Sequence, residues 1–589
     1  VTGLRSHPSS LAQVVGGHAA ELGDRVALTF LSDPAADTGR SLTYAQLDHD
    51  ARRIASWLIE RGARGERVLL LHPPGLEFAK GLIGCWYAGS VAVPSPLPGT
   101  RPQHLRRLTA IARDTRAAFV LTDAASRAEV EKWVADEGLD VRCVATDSDP
   151  LGDPDLPPLV VRPDELALLQ YTSGSTSDPK GVMISHANLL RNAQAIGSTL
   201  GSDAGTRFGG WLPHYHDLGL MGMLLQPLFH GAGSVFMSPM SFLKRPHLWL
   251  EMLDRHDIHM SGGPNFGYDL CVRRVTDEQI DRVDLSRWRV AVNGAEPIRA
   301  ESVAAFTRRL RPAGLRAETM FPCYGLAEAT LIVCGDRPGR PPRSERVLVE
   351  DLEQGRFVVS ATPTAATDQS GGSGGSGGPA ARELVSSGVV TGLDVLIVDP
   401  DTAQPLPDGR VGEIWARAGN VGLGYWNREE ATRQTFGAVT ADGDAGYLRT
   451  GDLGAVHDGE LFVTGRIKDV LIVHGRNLHP QDIEAESKSV HHAFATGEAA
   501  AFADGRHVVV VQEVRAGRLT PEELTLLARS VSQHLGQSHG IGGTRVLLVR
   551  PGGVERTTSG KVQRSAMCAL YLAGGIVPLA DSAQGVSAS

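Results

Sequence analysis

The chain has 589 residues, of which 42% are hydrophobic and 21% charged. That is the balance of an ordinary globular protein, at a length that predicts two or more domains rather than one core. The net charge of −9 argues against a nucleic-acid partner. Six cysteines without a C-x-x-C spacing read as reduced thiols rather than a metal centre. No apolar run approaches the ~18–20 residues that span a bilayer, and VTGLRSHPSS at the start lacks a signal-type apolar segment, so a cytoplasmic protein without a membrane span is expected.

SLTYAQLDHDARRIASWLIERG (41–62) places Leu47, Ala51, Ile54, Ala55, Leu58 and Ile59 on one helical face. Thr43 with Gln46 fits a capping box, and Gly62 a C-terminal stop. The strand-like stretches RVLLLHP (67–73), FVLTD (119–123), SVFMSP (234–239) and RVAVNG (289–294) alternate with helical ones, which predicts a largely parallel α/β layer structure. After about residue 390 the chain becomes strand-rich: DVLIVDP (394–400), VGEIWARA (411–418), LFVTGRIKDVLIVHG (461–475), HVVVVQEVR (507–515) and TRVLLVRPG (544–552), with one helix at PEELTLLARSVSQHL (521–535). A small α+β unit beginning near 466 follows from this. QSGGSGGSGGPA (369–380) has linker composition; a natural glycine-rich loop and an inserted linker both fit, and it is set aside from the chemistry. The last residues, ADSAQGVSAS, lack core-forming groups and are expected to be disordered.

YTSGSTSDPKG (171–181) has the look of a phosphate loop. A Walker A loop places Gly before its Lys and a hydroxyl after it, whereas Pro179 and Gly181 flank Lys180 here. What remains suits an anion: Gly174 lets backbone N–H groups approach, Thr172, Ser173, Ser175 and Thr176 add donors, and Lys180 adds a charge. The loop follows LALLQ (166–170), at the strand end where α/β proteins bind ligands. A triphosphate loop and a plain turn both satisfy these residues. Further along stand FPCYGLAEATL (321–331) with Tyr324 and Glu328, YLRTGDLG (447–454) with Asp452, GRIKDVLIVHGRNLHPQDIE (465–484) with Arg466, and RTTSGKVQR (556–564) with Lys561. Singly, Tyr324 reads as core, Asp452 as a turn residue and Lys561 as a solvated charge.

In this order and spacing the motifs resemble the adenylate-forming superfamily of acyl-CoA synthetases, luciferases and peptide-synthetase adenylation domains, over essentially the whole chain. The resemblance implies an α/β fold: a large N-terminal domain of layered sheets and helices with a β-barrel-like part (1–465), then a small mobile α+β lid (466–575) and a disordered tail (576–589). It also implies the chemistry: a carboxylate attacks the α-phosphate of ATP, expelling pyrophosphate and leaving acyl-AMP. By the resemblance, Thr172, Ser173, Gly174, Ser175, Thr176 and Lys180 hold the outer phosphates, and Glu328, with Thr176, holds Mg²⁺. Tyr324 stacks on adenine beside Gly325, Leu326, Ala327 and Gly294, Ala295 and Glu296 of NGAEP. Asp452 and Arg466 hold the ribose, Lys561 bridges carboxylate and α-phosphate, and the lid turns at Lys468. Ser177 departs from the glycine found in many relatives.

WLPHYHDLGLMGMLLQPLFHGAGSVFMSP (211–239), SFLKRPHLWL (241–250), SGGPNFGYDLCVRR (261–274), WRVAVNGAEPIRAE (288–301) and GRNLHPQDIE (475–484) look closest to fatty acyl-AMP ligases, which pass the acyl group to a phosphopantetheinylated acyl carrier protein in lipid, polyketide or lipopeptide biosynthesis. His216 and Asp217 form that branch's signature. The resemblance places His216 near the substrate carboxylate; a structural histidine is the other reading. Residues around 219–233 and 261–267 would suit an alkyl tunnel or an ordinary core. Residues 335–388, around the Gly/Ser tract at 370–378, fit the branch's insertion, thought to brace the two domains against the rotation that CoA requires. An acyl-CoA ligase is the alternative, with an amino-acid-activating domain and a catalytically dead nucleotide sensor behind it. Chain length, carrier and oligomeric state stay open.

Overall fold

A computed structural model of the chain describes residues 8–99, 102–172, 179–361, 380–390, 394–473, 476–494, 496–505, 507–517, 519–539, 541, 543–556 and 561–583. Two large sheets form its frame. The six-stranded sheet runs Arg142–Ala145, Phe119–Thr122, Arg67–Leu70, Val91–Pro94, Leu166–Tyr171, Gly181–Ser185, parallel except for the last pair. The eight-stranded sheet runs Ile332–Gly335, Met320–Gly325, Val290–Asn293, Met260–Gly263, Arg207–Gly210, Gly233–Met237, Val26–Asp33, Thr38–Thr43, parallel except at its two edges. Val91–Pro94, Phe119–Thr122, Met260–Gly263 and Val290–Asn293 are buried at every position and Arg67–Leu70 at all but its first, as parallel sheets covered on both faces require.

The helix read at 41–62 spans Tyr44–Ile59, with the Thr43/Gln46 capping box formed and Gly62 at φ +73° beyond its end. With the Leu76–Tyr87 helix it fills the space between the sheets, in a cluster that joins Val68 and Leu70 of one to Ala27, Leu28 and Phe236 of the other. The helices touch closely: a Cβ on Gly84 would lie 2.8 Å from the Ile54 side chain. Stacked strands and helices bring the C-terminal ends of many strands to common edges, where loops can converge on a ligand.

Past these layers, Asp394–Val398, Gly412–Arg417, Ala438–Val439, Ala445–His457 and Glu460–Arg466 form a five-stranded antiparallel sheet. The stretch 461–475, read as one strand-rich run, breaks after Arg466 into a 3₁₀ turn, Ile467–Asp469, before Leu471–Val473. Residues 471–580 build their own apolar clusters around the sheet Ala499–Ala503, Val508–Glu513, Arg545–Val549, Ala580–Asp581. The tail expected to be disordered from 576 is corrected over 576–583; residues 584–589 lie outside the described residues. Ala580–Asp581 pairs with Leu547 and Leu548, Ala580 is buried, and Asp581 binds Arg545 at 2.6 Å. Composition failed there because one ion pair and one alanine suffice to hold a two-residue edge strand.

The two halves of the 335–388 segment meet. Ser344–Leu348 pairs with Ala381–Val385, and Val347, Leu352 and Leu384 pack on Ala455 and Phe462 of the five-stranded sheet. The Gly/Ser tract at 370–378 lies outside the described residues. The described cysteines are all free; burial pushes the Cys143 thiol up to about 11 and Cys323 to about 12, which leaves them protonated and unreactive near neutrality.

Candidate active site

The loop at 172–180 joins two antiparallel strands in a hairpin, with Tyr171 opposite Gly181 and the Thr172 N–H donating to the Lys180 carbonyl. Ser173, Gly174, Ser175 and Thr176 lie outside the described residues. The stem is fixed from behind: the Tyr171 hydroxyl donates to Asp114 Oδ2 at 2.6 Å. A Cβ on Gly181 would come within 2.8 Å of the Tyr171 ring, so glycine here is a packing requirement. Lys180 Nζ stands 4.9 Å from the centroid of the Tyr425 ring, a cation–π geometry, and the Tyr425 hydroxyl donates to Glu328 Oε1 at 2.7 Å. Lys180 and Glu328, read from separate motifs, therefore share one tyrosine that the sequence did not single out.

Glu328 sits on a tight turn. Thr330 adopts φ +61°, a strained region for a β-branched residue. Its hydroxyl donates to the Asn420 carbonyl at 2.6 Å, while the Asn420 amide donates to the Ala329 and Ile332 carbonyls. A Cβ on Gly325 would fall 1.9 Å from the Leu331 carbonyl, so only glycine closes this turn. Leu326 and Ala327 are buried at its base. No group of three His, Cys, Asp or Glu side chains suited to a metal occurs among the described residues. A lone carboxylate joined to Lys180 through Tyr425 suits Mg²⁺, which takes one or two carboxylates and otherwise relies on phosphates and water.

Asp452 and Arg466 face each other across paired strands. The Tyr324 hydroxyl donates to Asp452 Oδ2 at 2.7 Å and Arg466 Nε to Oδ1 at 2.6 Å, so both carboxylate oxygens are engaged. The Asp452 carboxylate raises the Arg466 guanidinium above its ordinary value. Lys468 follows, exposed, within the 3₁₀ turn.

The NGAEP turn lies at the C-terminal end of Val290–Asn293. Ala295 adopts φ +67°, and a Cβ on Gly294 would meet Cys323 Sγ at 2.8 Å. Glu296 Oε1 accepts the Phe266 N–H at 2.6 Å. Burial raises the Glu296 carboxyl, while that N–H and the charges of Lys561 and Arg299 oppose the rise. Beside it Asn293 is fully buried, with neither amide atom partnered among the described residues.

Asp217 Oδ1 accepts the Leu218 N–H at 2.7 Å and caps a buried π-helix, Leu218–Leu225, so one member of the signature pair is doing capping work. Burial pushes the His216 imidazole down to about 3, assisted by the nearby charges of Lys561 and Arg107; the ring is neutral at physiological pH. Lys561, from the C-terminal unit, thus acts on both His216 and Glu296. Three residues taken from three distant motifs converge.

Sequence reading missed what holds Lys561 there. Arg564 donates to Glu484 at 2.7 and 2.8 Å and to Asp469 at 2.8 Å, tying the lysine's segment to the residue after Lys468. It also missed Arg107, whose Nη2 donates to the Thr172 carbonyl at 2.7 Å. Neither arginine belongs to a spacing pattern; each is legible only from contacts across the fold.

Residues 17–426 match the AMP-binding enzyme family, and residues 468–580 the Disco-interacting protein 2-like AMP domain. The chain is 39% identical over 572 residues to the medium-chain-fatty-acid–[acyl-carrier-protein] ligase JamA of Moorena producens (strain JHB), covering 93% of each. It is 36% identical over 589 residues to 4-hydroxyphenylalkanoate adenylyltransferase of Mycobacterium tuberculosis, covering 96% of this chain and 92% of that one. A solved fatty acyl-adenylate ligase of L. pneumophila, in complex with acyl adenylate and pyrophosphate, matches with a TM-score of 0.74 at 35% identity, covering 98% of this chain and 99% of that one.

Proposed function

The chain belongs to the AMP-binding enzyme family, and from that membership we propose that it activates a fatty acid with ATP to acyl-AMP and passes the acyl group to the phosphopantetheine arm of an acyl carrier protein. The observation that carries this reading is that Lys561 lies close enough for its charge to act on both His216 and Glu296.

A fatty-acid carboxylate oxygen attacks the α-phosphorus of ATP. The bond from that phosphorus to the bridging oxygen breaks, and pyrophosphate departs with the electron pair. Both reactants are anionic, so fixed positive charge and alignment supply the rate. In this reading Lys561 lies across the carboxylate and the α-phosphate, where charge builds up. His216, being neutral, orients the carboxylate through a hydrogen bond without protonating it. Asp452 accepts from the ribose hydroxyls, with Arg466 and Tyr324 holding its oxygens in place. The adenine lies among Tyr324, Gly325, Leu326, Ala327, Gly294 and Ala295. Thr172, Ser173, Gly174, Ser175, Thr176 and Lys180 take the outer phosphates. Mg²⁺ at Glu328 would screen the triphosphate charge.

In the second step the carrier thiol loses its proton to solvent, its sulfur attacks the acyl carbonyl carbon, and AMP leaves. The C-terminal unit turns at Lys468 to admit the arm, since a short exposed junction can absorb the dihedral change.

Incubation with ATP, Mg²⁺ and a panel of fatty and amino acids tests this. Pyrophosphate release with acyl-AMP, and mass-spectrometric transfer to a phosphopantetheinylated carrier, are the expected products. Efficient acyl-CoA formation would replace the carrier with CoA, and absence of turnover with every acid would reject the enzyme reading.

A further inference from the structure

We propose that Arg107 is an anion-binding residue of the phosphate loop, pairing with the outer phosphates of ATP and with the pyrophosphate that leaves. This deepens the proposed reaction and rests on it.

The helix Pro102–Thr115 runs behind the 172–180 hairpin and grips it at two points. At its C-terminal end, Asp114 accepts from the Tyr171 hydroxyl at 2.6 Å and pairs with Arg428 at 3.1 Å, while its carbonyl accepts from Trp426 Nε1 and Asn427 Nδ2. The same residue therefore positions the stem of the loop and the segment that carries Tyr425. About two turns earlier, Arg107 Nη2 donates to the Thr172 carbonyl at 2.7 Å and to the Tyr171 carbonyl at 3.4 Å. The guanidinium thus lies at the loop's entry, on the side facing Tyr215 and His216, whose ring its charge reaches.

Among the described residues the site lacks a counter-charge. Burial pulls Arg107 below its ordinary value, and the ionisable group that offsets this is the phenol of Tyr215 rather than a carboxylate. Two other guanidinium groups near the site have acids: the exposed Arg466 has Asp452, and the enclosed Arg564 has Glu484 and Asp469. A half-buried cation held by carbonyl dipoles alone is costly to keep, and an arriving polyanion repays that cost. Arginine also has five N–H donors in a planar fork. The described carbonyls engage only Nη2, and phosphate oxygens match the rest of the fork. The adjacent Arg106 is exposed and provides the control.

The test separates the half-reactions in the full chain. Arg107→Ala should raise the KM for ATP in adenylation, and for pyrophosphate in the reverse reaction, by about 10–100-fold, the size of a charge-assisted phosphate contact. Transfer from supplied acyl-AMP to carrier, which uses no pyrophosphate, should stay within about twofold. Arg107→Lys should recover part of the loss, and Arg106→Ala should leave every constant unchanged. Calorimetric titration with inorganic pyrophosphate should show the same weakening without relying on turnover. Unchanged pyrophosphate affinity in Arg107→Ala would overturn the proposal, as would equal loss in both half-reactions with a lowered Tm and no rescue by Lys. Wild-type protein that binds pyrophosphate through Arg107 but adenylates no acid would instead reject the proposed reaction and leave the anion site standing.

Discussion

The two corners that the proposed reaction assigns to the ribose and to the carboxylate are built differently. At Asp452 both oxygens are occupied, by Tyr324 and by Arg466, on strands in direct register within one sheet. At Lys561 the groups come from three separate elements, and the buried Asn293 amide, at the end of the strand that leads to Glu296, has no partner among the described residues. The first corner is finished before substrate arrives. The second, in the proposed reaction, is assembled by docking the C-terminal unit and completed by the substrate. In the proposed reaction, preorganisation at one end and convergence at the other would let one site grip a nucleotide throughout while exchanging what attacks the acyl group.

The strongest way to break this contrast is Lys561→Ala. Adenylation should fall ~10²–10³-fold, the loss typical of a preorganised group at a developing charge. Transfer from supplied acyl-AMP should persist, with an unchanged Tm. Equal loss in both half-reactions would show that Lys561 holds the fold rather than the transition state.

Asp452→Asn probes the finished corner. The neutral amide leaves Arg466 without its counter-charge, and the KM for ATP should rise about 10–100-fold in both directions of the first step. Melting curves should fall as well, because Tyr324 loses a charged acceptor. A rise in KM without any change in Tm would mean that the Asp452–Tyr324–Arg466 trio serves binding alone.

A third test uses pH. His216 is pushed down to about 3 from an ordinary 6.5, so between those values the unfolded chain binds the proton and the folded chain does not. Stability therefore rises with pH across that window, and acidification below about 6.5 removes it. Each such histidine contributes about 1.4 kcal/mol per pH unit, a tenfold change in the folding equilibrium. His216→Gln should narrow the Tm gap between pH 7 and pH 5 and leave wild type the more acid-sensitive. An unaltered gap would mean that the imidazole is charged in the fold, and the neutral hydrogen-bonding role would fail with it.

The residues that mark the corners were legible because each sits in a dense local motif: Asp452 in TGD, Glu328 and Tyr324 in one eleven-residue stretch, Lys561 in SGK. The layered fold was legible for a similar reason, since the buried parallel strands are short apolar runs. The braces were not. Arg107 stands next to Arg106, and no periodicity separates the inward side chain from the exposed one. Arg564 meets Glu484 across 80 residues, and Tyr425 meets Glu328 across 97. Such pairs depend on how sheets stack, which the chain states nowhere locally. The 381–385 strand was obscured by the Gly/Ser tract ahead of it, although it pairs fully with 344–348.

That strand supplies the smallest test. Arg382 donates to the Thr464 carbonyl at 3.2 Å and pairs at 3.2 Å with Asp482, on the first helix of the C-terminal unit. One side chain from the 335–388 segment thus touches both the finished corner's sheet and the unit that turns in the proposed reaction. The arginine is largely enclosed and the aspartate about one-third exposed, so the link belongs with weak ion pairs worth roughly 0.2–1 kcal/mol. Arg382→Ala should therefore change the balance of the two conformations by only about 1.5–5-fold. Transfer of the acyl group, to carrier and to CoA alike, should speed up by that factor while adenylation slows by no more. Arg382→Lys, which keeps the charge but loses the fork, should fall between. If transfer slowed instead, the contact would have to be remade in the turned state, and the insertion would be a guide for the rotation rather than a brake on it.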